Sequence, residues 1–534
     1  MTEMKDQKPC LVETGQGFSV VYQEKFLYSK YNPSKNICQK ISSMDFLPGT
    51  IILAVSPVLE YGLKELAESL PENCIVLLCE AERNLAAFEG ERGLELLCPD
   101  KRFIWVSERE LYNLPVIFQK PSYTFESGNE VDFAGIFRRV IRLDFSAGVH
   151  FCADFYNTLE TACVNSIRQF WTNRFTLAKF GRKYSRNMFR NLKILEDSKP
   201  LSDFIGKIDR PIFVFGAGES AEQGIEEVKR FSKSEKPYIL CADTAFSMLK
   251  ANGIMPDGIV VDEAQSIIAQ SFIGARRAAI EKGVQVFQSL CSLPHAAGRL
   301  FPKDHISFYA TEYAPNSFFE SLKDKWFFPP VIPAFGSVGI TAYVLACLFR
   351  KDINVEIKDF GLDFAYSKGK THARGTPAHK RQLGLVARLT CMENFGSCFG
   401  QNVIRLPVPA PFPYTTPVLA GYAETFRQVK EQSKELGSSI ISDWTGRLNL
   451  MRNSEKLSVT EFISSEKDAL LELRDLLSGK GDFSDTERSE KIRTLLENRQ
   501  YLYLHFPDGY RFSMELNFLK RIRGEIDGFL KVLQ

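Results

Sequence analysis

VFGAGES, residues 214–220, closes the apolar run PIFVF and precedes a stretch with helical periodicity. A β-rich run, a turn of small residues and a helix, in that order, make one βα unit of a parallel sheet, and its turn lets backbone approach an anion. Read with the next residue, Gly216-Ala217-Gly218-Glu219-Ser220-Ala221 matches the G-x-G-x-x-A form of the dinucleotide fingerprint. The acid expected about 20 residues further on is met loosely by Asp243 at the end of the next strand. Glycines also serve tight turns that hold nothing, so the motif decides the fold and leaves the ligand open.

Downstream, residues 238–241, 258–261, 284–287, 306–309 and 355–357 read as further strands separated by helical stretches, which predicts a large parallel sheet over 211–360. Upstream, strands at 51–55, 74–79 and 103–106 alternate with helices at 62–70 and 83–97, predicting a first parallel sheet. Its leading turn, SPVLEYG, has one glycine where a dinucleotide loop has three and denies backbone approach. Residues 151–195 contain no proline and read as a long helix or helix pair whose basic run is a solvated face.

LPVPAPFP, residues 406–413, can continue neither helix nor central strand and closes the second sheet domain. Beyond it come helical stripes, Leu470, Leu473 and Leu477, then Leu519, Ile522, Ile526, Phe529 and Leu533. The plan is an α/β protein: a sheet domain at 1–150, a helical connector at 151–200, a central sheet domain at 201–413 and a helical domain at 414–534. Whether the stripes bury within the chain or in a homo-oligomer is left open.

Net charge over 534 residues is +2, from 67 basic and 65 acidic side chains, so no global field recruits nucleic acid. The polar N-terminus and the lack of a long apolar run predict a soluble, unexported, cytoplasmic chain with no membrane span. Twelve scattered cysteines without a C-x-x-C pair suit buried thiols rather than a disulfide framework or a zinc site.

Small and polar residues recur at the expected carboxyl ends of the central strands: Asp243 and Thr244, Asp262 and Gln265, then Gly361, Asp363, Tyr366 and His372. Gly336, Ser337 and Gly339 open a helix expected over 340–350, whose free N–H groups and dipole suit a phosphate or carboxylate. His372 can act as a general base or bond backbone as an ordinary loop histidine. Tyr366 can donate to a leaving phosphate or simply pack. Asp243 and Asp262 can hold a hydroxyl or cap helices. The absence of a P-loop motif removes the P-loop kinase mechanism. No Asp-x-Asp occurs, and no metal is indicated.

The series GAGES, CADTAFSMLKANGIMPDGIVVDEAQ, FGSVGITAYVLACLF and GLDFAYSKGKTHARG, with LYSKYNPSKNI near the N-terminus, resembles the motility-associated factor family. The central domain of that family is similar to bacterial sialyltransferases and to the 6-hydroxymethylpterin diphosphokinase superfamily. The resemblance implies two Rossmann-like domains, a C-terminal helical domain, and transfer of a pseudaminic or legionaminic type of nonulosonic acid from its CMP-activated form to Ser or Thr of flagellin. No other cofactor is implied. Gly216, Gly218, Glu219 and Ser220 would cradle the nucleotide beside Asp243, Thr244, Asp262 and Gln265. Gly336, Ser337 and Gly339 would take the donor's anionic groups. Gly361, Asp363, Tyr366 and His372 would line the reacting centre. Glu219 stands where the family has proline, and a carboxylate beside a phosphate is repulsive unless it turns away. Two alternatives are a pterin diphosphokinase and a non-catalytic flagellin-binding factor; an NAD oxidoreductase rests on the fingerprint alone.

Overall fold

The structure is a computed structural model that describes residues 8–91, 100–120, 122–133, 135–232, 235–273, 276–294, 301–314, 316–407, 409–451 and 458–534. The polar first seven residues, the end of the helix expected over 83–97, Cys98 and Val408 of the proline-rich run lie outside these. The chain divides into two compact units, residues 1–178 with 506–511, and residues 179–505 with 512–534.

In the first unit, Thr50–Val55 (β1), Ile75–Cys79 (β2), Phe103–Trp105 (β3) and Arg139–Asp144 (β4) form a parallel sheet in the order β3-β2-β1-β4. β1 and β2 are buried on both faces, which is why they read as nearly unbroken apolar runs. The sequence reading lacks β4, because this half-buried edge strand, RVIRLD, carries charge where a central strand would not. The turn after β1 is filled from within. Ser56, at φ 53°, donates to the buried Glu80 carboxylate (2.6 Å), and Tyr156 donates to its other oxygen (3.1 Å).

In the second unit, Ile212–Phe215 (β5), Tyr238–Ala242 (β6), Gly258–Val261 (β7), Gln285–Ser289 (β8), Ile306–Glu312 (β9), Val331–Pro333 (β10) and Ile357–Phe360 (β11) make a second sheet, all parallel, in the order β10-β9-β8-β7-β6-β5-β11. The chain steps outward from β5 to β10 and then returns to place β11 on the other side of β5. That reversal is a switch point, and ligands of open α/β sheets bind outside the carboxyl ends of the strands there.

The strands differ from expectation in several places: β10 has no counterpart in the sequence reading, being a three-residue edge strand hemmed by Pro330 and Pro333, and β9 runs to Glu312 beyond the expected 306–309. The strand expected over 355–357 begins at Ile357, in register with Ile212–Phe215, and Phe360 stacks on Phe215 with ring centroids 5.3 Å apart. Its edge position tolerates Lys358 and Asp359, which pair with Glu227 (2.8 Å) and Lys430 (2.7 Å). The strand expected over 284–287 extends to Ser289, since its buried polar residues find partners: Gln285 donates to Ser307 (3.1 Å) and Ser289 shares a hydrogen bond with Thr311 (2.8 Å).

Ala153–Leu195 (α1) is one unbroken helix rather than a pair. Within the second unit its buried Asn187 donates to the carbonyls of Ala264 and Cys291 (3.3 and 3.1 Å), and Asn191 to those of Leu290 and Ser292 (2.8 and 2.9 Å). These bonds pin the loops that follow β7 and β8. Ala221–Lys229 (α2) and Asp243–Ala251 (α3) follow β5 and β6.

Val338–Phe349 (α4) starts two residues before the expected Ile340 and stops one before the expected Arg350. Every residue of α4 after Val338 is buried, against the sheet and against Pro417–Glu431 and Ser433–Met451. Each large apolar side chain so buried contributes about 1.5–3 kcal/mol, which fixes where the amino end of α4 points. The C-terminal stripes pack on one another within the chain, with Leu476 buried in place of Leu477 and Phe518 in place of the half-buried Leu519. Among the described residues no helix is long and apolar enough to cross a membrane.

Candidate functional site

A cavity of about 790 Å³ opens at the carboxyl ends of β5, β6 and β11, in the second unit. Its volume is within the range of pockets that enclose a nucleotide-sized ligand. Gly216, Ala217 and Gly218 offer backbone from one side. Asp243 and Thr244 form the floor at the start of α3, Ser337 and Gly339 lie at the start of α4, and Gly361, Tyr366 and His372 come from the segment after β11. Nine of the sequence-predicted residues therefore meet in one space.

The glycine turn is shaped first by its neighbour. Gly216 N–H donates to the Phe360 carbonyl (2.7 Å) and Gly218 N–H to that of Gly361 (2.9 Å). A Cβ on Gly216 would collide with the Gly361 carbonyl and the Leu362 side chain, and one on Gly218 with the Asp363 carboxylate. Gly361 itself sits at φ 71°, where a side chain is strained. The two loops are thus pressed together, and Gly216 and Gly218 are required by that contact before any ligand arrives.

Six predicted residues are off the cavity wall. Asp363 accepts from the Ser220 N–H (2.9 Å), and Ser220 Oγ accepts from the Gly361 N–H (2.7 Å), so both tie the loops together. Glu219 turns away from the cavity: it pairs with Lys370 (3.1 Å) and accepts from the Ser367 N–H (3.3 Å). Glu222 takes the same ammonium (3.0 Å) and the Arg374 N–H (2.8 Å). The unusual carboxylate is thereby explained as one half of a clasp on residues 367–374. Asp262 accepts from Thr311 (3.1 Å) and is set behind the wall, while Gln265 precedes a short 3-10 turn without a side-chain bond to it and Gly336, at φ 74°, packs on Tyr422.

Tyr366 lines the cavity but spends its hydroxyl proton on the Ser397 carbonyl (2.7 Å). It braces that wall rather than offering a donor to a phosphate.

Two kinds of group line the cavity, donors and acids. Ser337 precedes α4 without a side-chain cap, and Ile340 and Thr341 both donate to its carbonyl, which leaves the Val338 and Gly339 N–H groups without a carbonyl partner among the described residues. Thr376 and Pro377, the cap and first residue of Pro377–Gly384 (α5), bring a second helix start to the wall, and Arg381 of that helix adds a cation. On the wall at the start of α3, Asp243 is 2% exposed, and its Oδ2 has no partner among the described residues while Oδ1 takes the Thr244 N–H. Burial pushes this carboxyl up to about 7, with repulsion from Glu263 and Asp262 adding to the effect. His372 is open to the cavity, with Nδ1 3.0 Å from Thr371 Oγ1. Crowding by the surrounding walls, and then the Arg381 charge, hold its imidazole below the usual range, so it is neutral at pH 7.

The sequence reading missed Arg381, Thr376, Ser397 and the 400–403 wall. A signal existed for one of them, since Thr376-Pro377 is a helix-start pair. Arg381 follows on the same short helix, while Ser397 and 400–403 lie in a single 3-10 turn and irregular backbone with no period to read.

Residues 186–369 match the family described as 6-hydroxymethylpterin diphosphokinase MptE-like. The match supports the resemblance read from the motifs over this stretch, which carries the glycine turn and the starts of α3 and α4, while the cavity wall from Thr371 onward lies beyond it. An uncharacterized protein of Treponema pallidum (strain Nichols) is 26% identical over 98% of this chain and 95% of its own. Among solved structures, a Maf glycosyltransferase from Magnetospirillum magneticum AMB-1 is similar over 99% of this chain and 92% of that one, with 13% identity and a TM-score of 0.46.

Proposed function

We propose that the protein is a glycosyltransferase that moves a nonulosonic acid of the pseudaminic or legionaminic type from its CMP-activated form to Ser or Thr of flagellin, in the cytoplasm. The observation that carries this is the lining of the cavity: free helix N–H groups and Arg381 suit a phosphate and a sugar carboxylate, and the Asp243 oxygen without a partner among the described residues suits a ribose hydroxyl. Neutral His372 has a lone pair to take the proton of an acceptor hydroxyl. In the inverting displacement this supports, the acceptor oxygen bonds the anomeric carbon, the bond from that carbon to the phosphate oxygen breaks, and CMP leaves with the electron pair. Charge on the departing phosphate is met by the α4 amino end and Arg381.

The test is intact-mass spectrometry of flagellin after incubation with the protein and a CMP-activated nonulosonic acid. A gain of one sugar mass, absent with His372→Ala, is expected. The MptE-like match favours a second reading, pyrophosphoryl transfer from ATP to a hydroxymethylpterin. AMP release with that pair of substrates, and no mass gain on flagellin, would establish it instead.

A further inference from the structure

We propose that residues 374–405 form a docking surface for an acceptor polypeptide that carries apolar and acidic side chains. The proposal rests on the cavity being a transfer site. Exposed large apolar residues are concentrated here: Leu385, Val386, Met392 and Ile404 are exposed, Phe399 is 77% exposed and Leu389 is 96% exposed. Scattered apolar residues on a surface need no explanation, but a contiguous stretch of them marks a binding face.

The segment is held in shape rather than loose. Ala387 and Thr390 exchange two backbone hydrogen bonds (3.1 and 3.0 Å), closing a tight turn whose tip presents Arg388 and Leu389. Asn394 N–H donates to the Gly369 carbonyl (2.8 Å), and Tyr366 fastens Ser397 from below. These bonds fix the backbone while leaving its apolar side chains to solvent.

Charge selects the occupant. The segment has five basic residues and one acidic residue in a chain whose net charge is only +2. Lys380, Arg388 and Arg405 form no ion pair among the described residues. An apolar surface with unpaired cations is complementary to a segment in which apolar residues alternate with Asp or Glu. Position selects the role. Other residues of the same segment, Arg381, Ser397 and 400–403, line the cavity, so a chain seated on the outer face has its hydroxyls at the cavity mouth. The segment also lies beyond the stretch matched by the MptE-like family, which ends at residue 369, so a small-molecule acceptor in that family gives no reason for it.

The probe is a fluorescein-labelled synthetic peptide alternating Leu or Phe with Asp and Ser, compared by anisotropy with the same peptide bearing Lys for Asp. The acidic peptide is expected to bind about tenfold tighter or more, and Leu389→Asp combined with Phe399→Asp to weaken it by about tenfold. Both side chains are exposed and off the cavity wall, so the thermal shift given by CMP stays unchanged in this variant; Ile353→Asp, exposed elsewhere in the same unit, is the control and leaves peptide binding intact. The proposal is overturned if both peptides bind alike, if the double variant binds the acidic peptide as wild type does, if phosphatidylserine vesicles bind the segment while neither peptide does, or if the double substitution converts a dimer to a monomer. Loss of the CMP shift with peptide binding intact counts against the transfer reading alone.

Discussion

Asp243→Asn should stabilise the protein at alkaline pH while weakening its ligand. The carboxyl rises from an ordinary value of 3.8 to about 7 because burial penalises its charge. Below about pH 4 both folded and unfolded chains hold the proton, and the group contributes nothing to the pH dependence. Between about pH 4 and 7 the folded protein keeps a proton that the unfolded chain has released, so stability falls as pH rises, and the full cost persists above 7. Three units at about 1.4 kcal/mol each set an upper limit of roughly 4 kcal/mol, and relaxation of polar groups around the buried charge lowers this to about 2 kcal/mol. Asparagine keeps the shape and removes the charge. Thermal melts of both proteins from pH 5 to 8 should show the variant gaining on wild type by about 2–4 °C as pH rises. A constant difference across that range, or a variant less stable than wild type at pH 8, would show that Asp243 is not held as a strained buried acid.

Arg381→Gln should weaken CMP binding by about tenfold, as loss of one charge-assisted contact does, measured by calorimetry. It should also raise the His372 imidazole by removing a neighbouring cation, so the acid limb of the transfer rate moves to higher pH; an unmoved NMR titration of His372 would refute the coupling. Lys370→Met should lower kcat and cost about 1–3 kcal/mol of stability, since it opens a largely buried clasp on the segment that bears His372 and leaves Glu219 and Glu222 without their cation; equal kcat would show that the clasp positions nothing catalytic. Gly361→Ala should lower the melting temperature by more than a surface substitution does, because its Cβ meets the Gly216 carbonyl at φ 71°, and unchanged melting would contradict the packed-loop account.

The central sheet was readable because its strands are buried on both faces and spell apolar runs. β11 was misplaced by two residues because an edge strand can carry Lys358 and Asp359, whose partners Glu227 and Lys430 are remote in sequence. The convergence of Asp243 and the start of α4 was readable because small polar residues recur at strand ends and helix starts on one edge of the sheet. The direction of Glu219 was not, because Lys370 lies 151 residues away. Gly216 and Gly218 look alike in sequence whether a phosphate or a neighbouring loop demands them. Here the loop does, and the cavity uses the backbone that this contact exposes.

The most direct measurement is the melting temperature of wild type, Asp243→Asn and Arg381→Gln with saturating CMP, CTP, ATP or NAD, since a ligand that binds only the folded chain raises its apparent stability. The account predicts a rise with CMP in wild type that is reduced in both variants and is not matched by ATP or NAD. A larger rise with ATP, or no rise with CMP, would contradict it.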